Sequence, residues 1–165
     1  MPKAITTKEK RDKFESQVVT WIRRVWPAKF PGWKVEVFPN ERLLGLIAEA
    51  YQMDLVVIIT RKLGPIIWDQ KIIGIKCMNP EKVNRKDVEI LINKARKINE
   101  NYRTNSDKTL YHFDSLAIAV NGEFEEEARY LASKQDILCI VPHHRGFDMM
   151  VEGSDWLWSP RWEKN

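Results

Sequence analysis

The chain has 165 residues and only two cysteines, Cys77 and Cys139. They lack the spacing of a metal-ligand set, and each sits in an apolar run, which reads as a reduced core residue rather than half of a disulfide. Long hydrophobic runs are missing too. The longest purely aliphatic one, Leu55–Ile59, falls far short of the ~20 residues a membrane span needs. The opening MPKAITTKEK contains no apolar h-region, so no signal peptide is expected and the cytoplasm is the default location. There is no low-complexity tract, internal repeat or linker. With 44% apolar and 30% charged residues, the composition is that of one globular domain.

Charge is present but uneven. Residues 1–35 carry nine Lys/Arg against three Asp/Glu, a net of +6, while the remainder sums to −2. A basic N-terminal third suits an anionic partner such as nucleic acid, although a solvated helix face has the same composition.

Hydrophobic periodicity divides the chain. Thr6 or Thr7 can cap a first helix, whose apolar positions are Phe14, Val18, Val19, Ile22 and Val25 and which Pro27 should end. WKVEVF (33–38) alternates as a strand does, and 40–52 fits either a short helix or a bent strand. MDLVVIIT (53–60) is a β-branched strand. IIWDQKIIGIKC (66–77) is a second, with a break expected near Asp69–Gln70. A helix beginning at Asn84 or Arg85 carries the stripe Val88, Leu91, Ile92, Ala95 and Ile98. A polar loop, a strand at 115–120, a helix at 123–134 and a strand at 137–141 follow. The segment from Pro142 onward, residues 142–165, is a Trp-rich C-terminal extension with no assigned elements. Strands that alternate with helices imply an α/β fold with a central mixed sheet: an antiparallel meander first, helical crossovers later.

The anomaly in this pattern is IIGIKC. Period-2 alternation puts Lys76, Gly74 and Ile72 on one face of their strand. Asp54 opens the preceding strand. A carboxylate and an ammonium amid apolar residues must pair. They can do so as a structural ion pair, or as part of a phosphodiesterase centre in which the carboxylate holds Mg²⁺ beside the lysine.

In this order of elements and residues the chain resembles the PD-(D/E)xK (restriction endonuclease-like) nuclease superfamily, over roughly residues 7–141. Glu15, in KFESQVV, stands where the superfamily has an early helical glutamate. Asp54 matches the metal-binding aspartate, and GIK matches (D/E)-x-K at Lys76 but not at Gly74. The resemblance implies a three-layer α/β sandwich, a metal-dependent endonuclease acting on DNA, Mg²⁺ or Mn²⁺ as cofactor, and Lys76 assisting attack by water. It also makes a homodimer an expectation, because cutting both strands of a duplex takes two sites related by two-fold symmetry. Three accounts of Gly74 stay open. The missing carboxylate could have moved to Glu89 on the following helix, with Asp87 as second choice. Glu15 and Asp54 could hold the metal with the main-chain carbonyl of Ile75. Or the site could have decayed, leaving a protein that binds nucleic acid or a protein partner.

Other residues are candidates for contact alone. Lys10, Arg11 and Lys13, with Lys8, and the cluster Lys82, Arg85 and Lys86 could neutralise phosphates without reading bases. His143, His144 and Arg145 could also touch phosphates, but adjacent histidines point apart on an extended chain and would need a further ligand to share a metal. Asp69 and Lys71 form a second D-x-K, discounted because Lys71 is expected in a turn. Trp156, Trp158 and Trp162 could stack on bases, serve a partner chain, or clamp onto their own core.

Overall fold

The computed structural model describes residues 7–42, 52–65, 68–79, 82–104, 112–150 and 155–163. Helix α1 (Thr7–Lys29) runs through the basic N-terminal segment. Pro27 does not end it. The proline forfeits one helical N–H, but Phe30 N–H donates to Trp26 O at 2.9 Å, and the Trp26 ring packs edge-on against Phe30 and Trp156, with centroids 5.5 and 6.1 Å away.

Strands β1 (Lys34–Arg42), β2 (Gln52–Lys62) and β3 (Trp68–Met78) form the expected antiparallel meander. β3 is unbroken at Asp69–Gln70, and Lys71 pairs with Ile59 inside the strand rather than lying in a turn. Between β3 and the next helix lies the two-residue β4 (Lys82–Val83), which pairs with β6 (Glu123–Phe124). Helix α2 (Arg85–Thr104) reaches into the expected polar loop. Strand β5 (Ser115–Val120) follows. Helix α3 (Glu126–Lys134) starts three residues later than its sequence pattern suggests, because Glu123–Phe124 are taken up by β6. Strand β7 (Leu138–His143) then turns through His144–Arg145 into β8 (Gly146–Met150), which periodicity did not reveal. Helix α4 (Asp155–Trp158) and a 3₁₀ turn (Arg161–Glu163) close the chain.

The main sheet has the order β1-β2-β3-β5-β7-β8. β3, β5 and β7 run parallel to one another, and the outer pairs are antiparallel. The fold is therefore mixed α/β. Two separate cores form. Leu55, Val57, Ile73, Ile75 and Cys77 pack with α1 and α4; Val56, Leu116 and Ile118 pack with α2, α3 and Trp162. Both cysteines are free and buried, as their apolar surroundings suggest, and burial pushes the Cys139 thiol up to about 12. No described helix is long and apolar enough to cross a membrane.

Candidate active site

The register of β2 against β3 runs from Lys62↔Trp68 to Leu55↔Ile75. At the next position a side chain takes over from the ladder: Asp54 Oδ2 accepts the Cys77 N–H at 2.8 Å. The same oxygen lies 3.3 Å from Lys76 Nζ. The sequence pairing of Asp54 with Lys76 is thus met in space. The lysine side chain stays 38% exposed and that of Asp54 12%, so the pair is neither walled off nor fully solvated.

Glu15 comes to this pair from α1. Among the described residues, Glu15 and Asp54 are the buried carboxylates, at 4% and 9% exposure. Burial first, and the Asp54 charge second, push the Glu15 carboxyl up to about 6, against the pull of Arg11 and Lys76. Arg11 Nε approaches Glu15 Oε1 at 3.9 Å from one helical turn back. Glu15 also lines a cleft of about 730 Å³ between α1 and β1, with Lys8, Arg11, Arg23 and Pro39 on its walls.

A fourth group arrives from α2. Lys94 has its ammonium pKa lowered by burial and then by the neighbouring Lys76 charge, with Asp54 acting in the opposite sense. Nothing in the spacing of α2 marks Lys94. It sits between the stripe residues Ile92 and Ala95, and its placement is visible only once the helix lies against the sheet.

Glu89 is not brought to this cluster. It lies five residues before Lys94, about 140° around the helix. Its Oε1 instead accepts Arg85 Nε at 2.9 Å on the exposed side. Asp87 serves as a cap: Asn84 Oδ1 accepts Asp87 N–H at 3.0 Å, and Asp87 Oδ2 accepts Asn84 N–H at 2.9 Å. Ile75 stands mid-sheet, paired with Leu55 and Ala117. No group of three or more His, Cys, Asp or Glu that could hold a metal ion occurs among the described residues.

Gly74 has a packing reason. It pairs regularly with Val56 and Leu116, so it is no bulge. A Cβ built there would lie 2.9 Å from the Phe113 ring and 3.1 Å from Met53 Cε. Phe113 is fully buried, and Asn99 holds its backbone from both sides. Asn99 Nδ2 donates to Phe113 O at 2.9 Å, and Phe113 N–H donates to Asn99 Oδ1 at 2.7 Å. The space an acidic side chain would need at residue 74 is filled with aromatic core.

The basic candidates separate. Arg11 meets Glu15, Lys82 meets Glu123 at 3.5 Å, and Arg85 meets Glu89. Lys10, Lys13 and Lys86 are exposed. His143 and His144 do not point apart: His144 adopts a positive φ of 51° in the hairpin turn, which leaves the two rings 4.2 Å apart. In the tail, Trp156 and Trp162 are buried in the chain's own cores. Trp158, 45% exposed, leans on Trp33, with Arg61 over both rings.

No family model matches the chain, and no curated protein does. A solved structure described as "Protein of Unknown Function AF1548" is similar over 78% of this chain and 57% of its own length, with a TM-score of 0.46 and 16% identity. This chain thus spans little more than half of that protein, whose function is unknown, and the functional reading rests on the chemistry of Asp54, Lys76, Glu15 and Lys94.

Proposed function

We propose that the protein is a metal-dependent endonuclease that hydrolyses phosphodiester bonds in DNA, built on a three-layer restriction endonuclease-like sandwich. The observation that carries this reading is the shared Asp54 oxygen. It is fixed by the Cys77 N–H and faced by Lys76 at 3.3 Å, with the Glu15 carboxyl close enough to feel its charge. A purely structural ion pair gains nothing from a second, buried carboxyl at its side.

The donor set fits Mg²⁺ or Mn²⁺. Such ions take oxygen ligands, and Mg²⁺ is commonly bound by one or two carboxylates together with substrate phosphate and water. Asp54 and Glu15 would hold it, with the remaining positions left to substrate phosphate and water, since the Ile75 backbone is paired within the sheet. Bound there, the metal would supply charge stabilisation at the phosphoryl oxygens. The chain's own residues do the rest. Lys76 places a cation beside the attacked phosphate and orients the water. Lys94 adds a second positive charge from the other layer. Asp54, held by the Cys77 N–H, cannot rotate away when Lys76 turns toward substrate.

Cleavage of plasmid DNA with Mg²⁺ or Mn²⁺ tests the reading. Asp54→Asn keeps an acceptor for Cys77 N–H while removing the charge. Both it and Lys76→Ala are expected to lower the cleavage rate by at least about 100-fold. Wild-type protein that leaves plasmid, branched and single-stranded DNA intact under either metal would rule the activity out.

The filled space at Gly74 favours a second reading, a catalytically degenerate protein on the same scaffold that binds nucleic acid or a protein partner. Binding without cutting would select it.

A further inference from the structure

A second cleft, of about 530 Å³, adjoins the first along α1, sharing Ser16 and Thr20 with it, and lies between that helix and the β7–β8 turn. Lys13, Gln17 and Arg24 form its helical wall. At 100° per residue they fall within about 40° of one another, a single stripe along α1. His144 and Arg145 line the cleft from the β7–β8 turn, and Asn121 from the end of β5. Among the described residues, no carboxylate lines it. The cleft beside Glu15 contains Asp12 and Glu15, and that beside α3 contains Asp136, Asp148 and Asp155. The contrast with Lys82 and Arg85, each neutralised by a neighbouring glutamate, is direct.

Position matters as much as charge. β3, β5 and β7 are parallel, so their carboxyl ends share one edge of the sheet. Lys76 lies at that edge on β3, Asn121 just past β5, and His144–Arg145 just past β7. Asn121 ties the two regions together: its N–H donates to Met78 O at 3.0 Å and its Nδ2 to Asn79 Oδ1 at 2.9 Å, two and three residues beyond Lys76.

From this arrangement we infer that the cleft between α1 and the β7–β8 turn is a phosphate-binding track that leads a DNA strand along the sheet edge to the Asp54–Lys76 pair. The guanidinium groups of Arg24 and Arg145 and the Lys13 ammonium contact phosphate oxygens, while Asn121 and Gln17 offer hydrogen bonds. The inference rests on the nuclease reading only for where the strand leads; binding in the cleft stands or falls by itself.

The test is fluorescence anisotropy with a labelled 20-base-pair DNA duplex, in EDTA so that nothing is cut, over a series of salt concentrations. Arg24→Gln/Arg145→Gln is compared with wild type and with Lys82→Ala/Arg85→Ala. Both residues of the first variant are exposed, so its melting temperature should match wild type. Loss of two phosphate contacts is expected to weaken binding about tenfold and to flatten the log–log salt slope by about 2, with the control pair close to wild type. A cleft variant that binds as wild type does overturns the inference, even where cleavage with Mg²⁺ still depends on Asp54. Absence of any duplex binding overturns it as well. Cleft-dependent binding without cleavage under either metal supports the cleft and removes the nuclease reading instead.

Discussion

Glu15 shows how one buried carboxyl connects stability to chemistry. Its folded pKa of about 6 lies above the ordinary 4.5. Between those values the folded state holds a proton that the unfolded state has released. Stability is therefore undiminished below about 4.5, falls as pH rises through the window, and carries the full penalty above 6. A shift of that size corresponds to about 2 kcal/mol. Glu15→Gln is accordingly expected to gain up to about 2 kcal/mol in urea denaturation at pH 7.5 and almost nothing at pH 4.5. Equal gains at both pH values would show that the carboxyl is not destabilised by its burial. If Glu15 holds the metal, its proton must leave, so wild-type cleavage should rise through pH 6.

Asp54 and Lys76 were legible because each breaks an apolar pattern, and a break of that kind is visible without coordinates. Gly74 was visible as an oddity but not as a packing residue, since Phe113 lies 39 positions away and in a different segment. Gly74→Ala is expected to cost about 1–3 kcal/mol by overpacking against that ring. Phe113→Leu in the same chain should recover part of it. Additive losses in the double variant, measured by chemical denaturation, would mean that the two side chains do not compete for one space.

Helix α2 shows what periodicity conveys about an element and what it does not. The stripe Val88, Leu91, Ile92, Ala95 and Ile98 is buried throughout, as its spacing required. The same spacing cannot say which flank of the stripe meets the sheet edge. For that reason Glu89, near the start of the helix, looked as suitable as any residue, whereas Lys94 is the one whose ammonium feels the charges of Lys76 and Asp54. The two carboxylates of the first turns can be told apart by experiment. Asp87 closes the reciprocal cap with Asn84, so Asp87→Ala is expected to cost about 1 kcal/mol of stability. Glu89→Ala should cost a few tenths at most. Neither should alter cleavage at a temperature where both are folded. A collapse of activity in Glu89→Ala with intact stability would return the migrated-carboxylate account to first place.

The tail closes the molecule at the end away from the site. Ser115 Oγ donates to Leu157 O at 3.1 Å where β5 begins, opposite Ile73, whereas Lys76 pairs with Ile118 further along. From there the chain crosses between the two cores: Trp156 and Leu157 enter one, and Trp162 the other. Trp162 N–H donates to Gln135 O at 3.0 Å, and Arg96 Nε donates to Trp162 O. Arg161 also holds Asp136 through a two-pronged contact at 2.8 and 3.0 Å, keeping that carboxyl below its usual range. Sequence alone left this segment unassigned because its elements are too short for a period to register, and its order comes from burying three large side chains. A role in dimerisation would have to use what remains outside. Trp158 and Trp68 are exposed, but Trp156 and Trp162 are already spent on the chain's own cores. Trp162→Ala is thus expected to destabilise by about 3–5 kcal/mol. The loss should be the same at every protein concentration, because the ring packs within one chain. A loss in thermal stability that grows as the protein is concentrated would show that the tail instead seats on a second copy.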